Sequence, residues 1–120
     1  MLNLDFAPTI LDYAGVKIPK DMQGLSFRSI LKDSNPEEWR DAMYYQFFEE
    51  GYGIGPHEGI RTKRYKLIHY QYGDMGWELY DLENDPDELN NVYSTPENVK
   101  LVNELKANLK ILKSEYLVTK

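Results

Sequence analysis

Gly59-Ile60-Arg61-Thr62-Lys63-Arg64-Tyr65-Lys66-Leu67-Ile68, followed by Trp77-Glu78-Leu79-Tyr80-Asp81-Leu82-Glu83-Asn84-Asp85-Pro86-Asp87-Glu88-Leu89-Asn90-Asn91-Val92-Tyr93, decides the fold. Alternating β-branched, aromatic and charged residues predict two antiparallel strands, Glu58–Thr62 and Tyr65–Tyr70, around a tight turn at Lys63-Arg64. In the second strand the period of two sends Tyr65, Leu67 and His69 to one face and Lys66, Ile68 and Tyr70 to the other. Gly73 to Gly76 predicts a hairpin turn. Trp77 to Leu82 is the next strand, closed by the turn residues Asn84-Asp85-Pro86-Asp87. Upstream, the aromatic-rich run Ala42 to Phe48 predicts another strand. Glu49 to Glu58, with Gly51, Gly53, Gly55 and Pro56, predicts a loop.

Working outward, the C-terminal segment predicts a long helix. Ser94-Thr95-Pro96-Glu97 offers an N-cap, a proline at the first helical position and a glutamate placed for a capping box. Leu101, Leu105, Leu109, Leu112 and Tyr116 then recur on one face, with Lys100, Lys106, Lys110 and Lys113 off it. At the other end, Leu4 to Ala14 predicts a short helix with Phe6, Ile10, Tyr13 and Ala14 at helical spacing. Asn3 or Asp5 is its cap and Gly15 its stop. A loop spans Val16 to Gly24. Ser26 caps a second short helix through Leu31, and Asp33-Ser34-Asn35-Pro36 is a turn. This order implies an α+β fold, a small antiparallel sheet of about four strands packed by the long C-terminal helix.

A chain of 120 residues with 42% hydrophobic content supports one small globular core. A net charge of -6 argues against a nucleic-acid partner, which needs a positive surface. No apolar run approaches the roughly 20 residues of a membrane helix. With no cysteine, disulfides and thiolate metal sites are excluded.

The Gly59–Ile68 and Trp77–Tyr93 stretches resemble the "G-(I/V)-R-T-x-(R/K)-Y-K-L-I" strand pair and "(W/E)-E-L-Y-D-L-x-x-D-P-x-E-x-x-N" strand and turn of the formylglycine-dependent sulfatases. Asn3 to Val16, with Met22-Gln23-Gly24-Leu25-Ser26, is similar to that family's "D-(F/L)-A-P-T-(L/I)-L-(D/E)-x-A-G" helix and its "x-x-G-x-S" sequel. The resemblance implies a C-terminal sulfatase subdomain over residues 1–120, with 1–31 as the closing helical segment of the catalytic domain. It implies a periplasmic or secreted parent that hydrolyses the sulfate ester or N-sulfate of a sugar or an aryl compound. That parent would use calcium and a formylglycine made from Cys or Ser in a "(C/S)-x-(P/A)-x-R" motif. None of Ser26, Ser29, Ser34, Ser94 or Ser114 begins such a motif, so no catalytic or metal residue is assigned here. The expected partner is the missing catalytic domain. Because the chain opens almost directly in the helix motif, it reads as part of a longer protein, and its exposed apolar residues are expected to drive self-association.

Two residues are candidates for substrate contact. His57 precedes the "G-I-R-T" strand, in a loop that the resemblance places at the mouth of the active site. Arg61 belongs to the basic cluster Arg61, Lys63, Arg64 and Lys66, whose alternation argues against convergence on one ligand. His69 reads as a core or sheet-face residue. The run Tyr44, Tyr45, Phe47, Phe48 reads as sheet burial before a sugar-stacking shelf. Asp81, Glu83, Asp85, Asp87 and Glu88 lack the glycine and terminal glutamate of a calcium loop. They read as a turn whose carboxylates are solvated or cap backbone amides. The alternative function is a stand-alone binding module for sulfated or acidic glycans.

Overall fold

Four strands, Ala42–Phe47 (β1), His57–Thr62 (β2), Tyr65–Tyr70 (β3) and Trp77–Asp81 (β4), form one antiparallel sheet in the order β1-β2-β3-β4. The computed structural model describes residues 1–32, 39–49, 53–71 and 76–117. The expected turns at Asp33–Pro36 and Gly73–Gly76 lie largely outside them. Met1–Trp39 and Arg40–Lys120 form separate units.

In the second unit, cross-strand pairing places Tyr44, Ile60, Leu67 and Leu79 in one row. Ile60, Leu67 and Leu79 are fully buried there. The helix Val99–Leu117 (α3) lays Val102, Leu105 and Leu109 on this row to complete the core. The expected stripe is therefore present, with Val102 added to it. The outer edge of β4 is satisfied by the chain that follows. Val92 N–H donates to the Leu79 carbonyl at 2.9 Å, and Leu79 N–H donates to Asn91 Oδ1 at 3.0 Å. Such pairing leaves this edge unavailable as a template for other strands.

The start of α3 differs from expectation. A 3-10 turn, Pro96–Asn98, is inserted before the helix, and Thr95 is its N-cap without any side-chain cap. The residue three places past the cap is then Asn98 rather than Glu97, so the capping box does not form. Asn98 instead donates its amide to the Val92 carbonyl at 3.0 Å.

In the first unit the expected Leu4–Ala14 helix is a 3-10 turn, Asn3–Asp5, leading into α1, Phe6–Tyr13. The Asp5 carboxylate is buried, and it accepts from the backbone N–H of Leu2 at 2.7 Å and of Leu25 at 3.0 Å. It thus ties the residue before the turn to the loop after the helix. Thr9 Oγ1 accepts from Phe27 N–H at 3.0 Å, and Phe6 meets the Phe27 ring edge-on at 5.4 Å. Gly15, at φ +69°, closes the helix, with Val16 N–H returning to the Leu11 carbonyl at 2.9 Å. That is a glycine-terminated helix end. Ser26 precedes the second helix, Arg28–Lys32 (α2), and its hydroxyl accepts from Arg28 N–H at 3.3 Å.

Candidate functional site

Since α3 covers the face that carries Ile60, Leu67 and Leu79, alternation assigns the opposite face. Three cross-strand rows make it up. Phe47, His57 and Tyr70 form one, Tyr45, Gly59, Ile68 and Glu78 the next, and Met43, Arg61, Lys66 and Tyr80 the last.

His57 is the first residue of β2, not part of the glycine-rich loop as expected. The ladder extends one pair further because Phe47 and Tyr70 flank it in register. Its ring stacks on Phe47 at 5.5 Å, lies tilted against Tyr70 at 5.3 Å, and meets Tyr45 edge-on at 6.1 Å. Nδ1 lies 2.9 Å from the Gly55 carbonyl, to which it donates. The aromatic run of β1 is thereby divided, with Tyr45 and Phe47 beside His57 and Tyr44 on the helix-covered face.

Arg61 shares the His57 face and is exposed. Four residues of strand separate them, about 13 Å, with Gly59 and the overlying Tyr45 ring in between. The two therefore do not converge. Arg61 stands opposite Lys66, and it makes no hydrogen bond or ion pair among the described residues. Two of its neighbours in the basic cluster are engaged. Arg64 forks onto Asp81 at 2.8 and 3.0 Å and reaches Glu83 at 3.1 Å, while Lys66 pairs with Glu88.

The phenols of this face are held neutral. Tyr80 donates to Glu78 at 3.0 Å, and burial, followed by that hydrogen bond, pushes its pKa up to about 12. Tyr70 shares the same carboxylate at 3.3 Å and is raised mainly by burial. Tyr45 is raised furthest, again by burial, and its buried hydroxyl finds no hydrogen-bond partner among the described residues.

On the covered face, Glu58 is nearly buried and accepts from Lys113 at 2.6 and 2.9 Å and from Tyr44 at 3.1 Å. His69 stacks on Trp77 at 4.1 Å, the sheet-face role expected for it. Lys106 lies over the Trp77 ring at 4.2 Å and donates to the Tyr93 hydroxyl at 2.7 Å. The helical stripe had set Lys106 and Lys113 aside as off-face residues. A β-strand partner for each, far away in sequence, leaves no signal in helical periodicity. A cavity of about 360 Å³ opens between the start of β1 and the last turns of α3, lined by Arg40, Asp41, Asn108 and Glu115 among others. It contains none of the sequence-derived candidates.

The acidic turn caps the chain, as read from its sequence. Asp85 accepts from Leu89 N–H at 3.1 Å and Asn90 N–H at 2.8 Å, and Asp81 accepts from Glu83 N–H at 3.2 Å. Among the described residues no group of three histidines or carboxylates could hold a metal ion. Ser26 is engaged with Asp12 at 2.5 Å, and Ser114 with the Ile111 carbonyl at 2.7 Å. These residues do not fit a calcium site or a formylglycine centre.

A family model described as N-sulphoglucosamine sulphohydrolase, C-terminal, matches residues 1–115. The chain is 42% identical over 120 residues to an N-acetylglucosamine-6-O-sulfatase of Bacteroides thetaiotaomicron, covering 96% of this chain and 21% of that protein. It is 35% identical over 94 residues to an arylsulfatase of Clostridium perfringens, covering 78% and 18%. Among solved structures, it superposes with a TM-score of 0.87 at 40% identity on a protein in complex with its substrate D-glucosamine-2-N,6-O-disulfate, covering 97% of this chain and 24% of that one. It superposes with a TM-score of 0.81 at 29% identity on a 2-O GAG sulfatase, covering 92% and 24%. The chain spans about a fifth of the length of the curated relatives it matches.

Proposed function

Because this chain belongs to the N-sulphoglucosamine sulphohydrolase C-terminal family, we propose that it is the non-catalytic C-terminal portion of a sulfatase acting on a sulfated sugar or an aryl sulfate. Residues 1–31 are the closing helical segment of the catalytic domain. The sheet of the second unit lends its His57 face to the rim of the substrate pocket. Calcium and the formylglycine nucleophile belong to the portion of the enzyme outside this chain.

The observation that carries this reading is the Phe47–His57–Tyr70 row. An imidazole with one nitrogen tied to a backbone carbonyl, stacked on Phe47 and flanked by Tyr70, is pre-organised for contact. His57 is the substrate contact at one end of the face. Arg61, about 13 Å along the strand, meets an anionic group further along the substrate or its next sugar. A guanidinium suits that task because it holds its charge at every working pH and binds oxyanions through a fork.

The test replaces the C-terminal fifth of the N-acetylglucosamine-6-O-sulfatase of Bacteroides thetaiotaomicron with this chain. The chimera is expected to hydrolyse an N-acetylglucosamine 6-sulfate. His57→Ala is expected to raise KM by about tenfold with kcat little changed, the signature of lost uniform binding. The 120-residue chain alone is expected to show no turnover. A folded but inactive chimera, together with tight glycan binding by the isolated chain, would overturn the proposal and favour the independent binding module.

A further inference from the structure

We propose that Phe47 and the Gly55 carbonyl are positioning elements that present His57 in one tautomer and one ring plane. Nε2 then meets a hydrogen-bond donor of the sugar, a hydroxyl or an N–H, rather than a sulfate oxygen. The inference rests on the rim assignment of His57 made above.

A carbonyl oxygen can only accept, so the 2.9 Å contact with Gly55 places the proton on Nδ1. In the neutral imidazole this tautomer carries its lone pair on Nε2. Two acceptors facing each other repel, so a sulfate oxygen is the wrong partner for that nitrogen, and a sugar hydroxyl or N–H is the right one. The ring plane is held independently. Phe47 is the direct cross-strand partner of His57 and stacks on it with 30° between the rings. Tyr70, the partner on the other side, is tilted by 47°. Phe47 has no polar atom, so it acts on the imidazole by packing alone. Register makes this placement specific, since a slip of one residue would send Phe47 to the opposite face.

Two measurements test the proposal. Long-range proton–nitrogen NMR of the 120-residue chain, in mildly alkaline buffer where imidazoles are neutral, is expected to show His57 protonated at Nδ1 and bare at Nε2. A ring protonated at Nε2 instead would overturn it. In the chimera, Phe47→Leu is expected to raise KM about as much as His57→Ala, with kcat unchanged, and Phe47→Tyr is expected to restore the parental KM. The double variant Phe47→Leu, His57→Ala is expected to be no worse than His57→Ala alone, because both substitutions remove the same contact. If His57→Ala raises KM and Phe47→Leu does not, the positioning role falls and the rim assignment stands. If neither changes KM, both fall. Should Phe47→Leu not fold, the NMR of the unsubstituted chain still decides.

Discussion

Gly59 carries no side chain because Tyr45 occupies the space it would need. A Cβ there would lie 2.5 Å from the Tyr45 ring and 2.6 Å from the Leu67 carbonyl oxygen, which is backbone and has no rotamer to change. Gly59→Ala is therefore expected to cost about 1–3 kcal/mol through overpacking, read as a lower urea midpoint. Charge acts at the same scale. Hydrogen bonds from Arg64, and then from Asn84, hold the Asp81 carboxyl well below the usual carboxylate range. A lowered folded-state pKa means the fold binds fewer protons than the unfolded chain. The stability it adds is full above the ordinary value of about 4 and is lost as pH falls below it. Tyr44 and Tyr80 behave in the opposite sense. Both are raised to about 12, so their contribution is complete below the unfolded value of about 10 and is lost as pH rises toward the folded one. Denaturation midpoints followed across pH are expected to fall at both ends, and Asp81→Asn to flatten the acid limb alone. Arg61 stands in a sequence motif and His57 just before it. That Phe47 is the partner of His57 depends on strand register across nine intervening residues and cannot be read from either strand alone.

At the scale of elements, α3 was the most legible, because five apolar residues at helical spacing have no competing reading. Its contacts were not. Leu105 is buried against the sheet, and Leu105→Ala is expected to cost about 2–5 kcal/mol in chemical denaturation. Lys106 lies over Trp77 and bonds to Tyr93, so Lys106→Ala is expected to cost about 0.5–1 kcal/mol or more. The exposed Lys110 should be within about 0.5 kcal/mol of neutral on substitution. Equal losses at 106 and 110 would remove the cation from the energetic account of α3. The start of this helix was misread because Ser94 and Glu97 match a capping box in spacing. The 3-10 turn consumes the residues that the box would need, and the Asn98 side-chain amide, donating to the Val92 carbonyl, replaces it.

At the scale of the whole molecule, three motifs in fixed order made the family legible, while the substrate was not, since the chain spans about a fifth of its relatives. The first unit leaves Phe6 and Ile10 more than half exposed, with Leu31 alongside them in exposure. Exposed apolar residues of this kind seek cover, and the isolated chain is expected to self-associate. Light scattering over a concentration series checks this, and Ile10→Lys is expected to restore a monomer. The sheet has a further consequence, in time rather than energy. Each strand pairs with its neighbour in sequence, so the search for partners is short and each hairpin can close within roughly 1–10 μs. The helix must come back from much farther, as the link between Glu58 and Lys113, 55 residues apart, shows. Closing that distance costs more chain entropy than closing a hairpin, so α3 is expected to dock late, after the sheet has formed and the folding barrier has been crossed. Leu109→Ala is then expected to hasten unfolding much more than it delays folding, and stopped-flow traces on the two limbs would show the asymmetry.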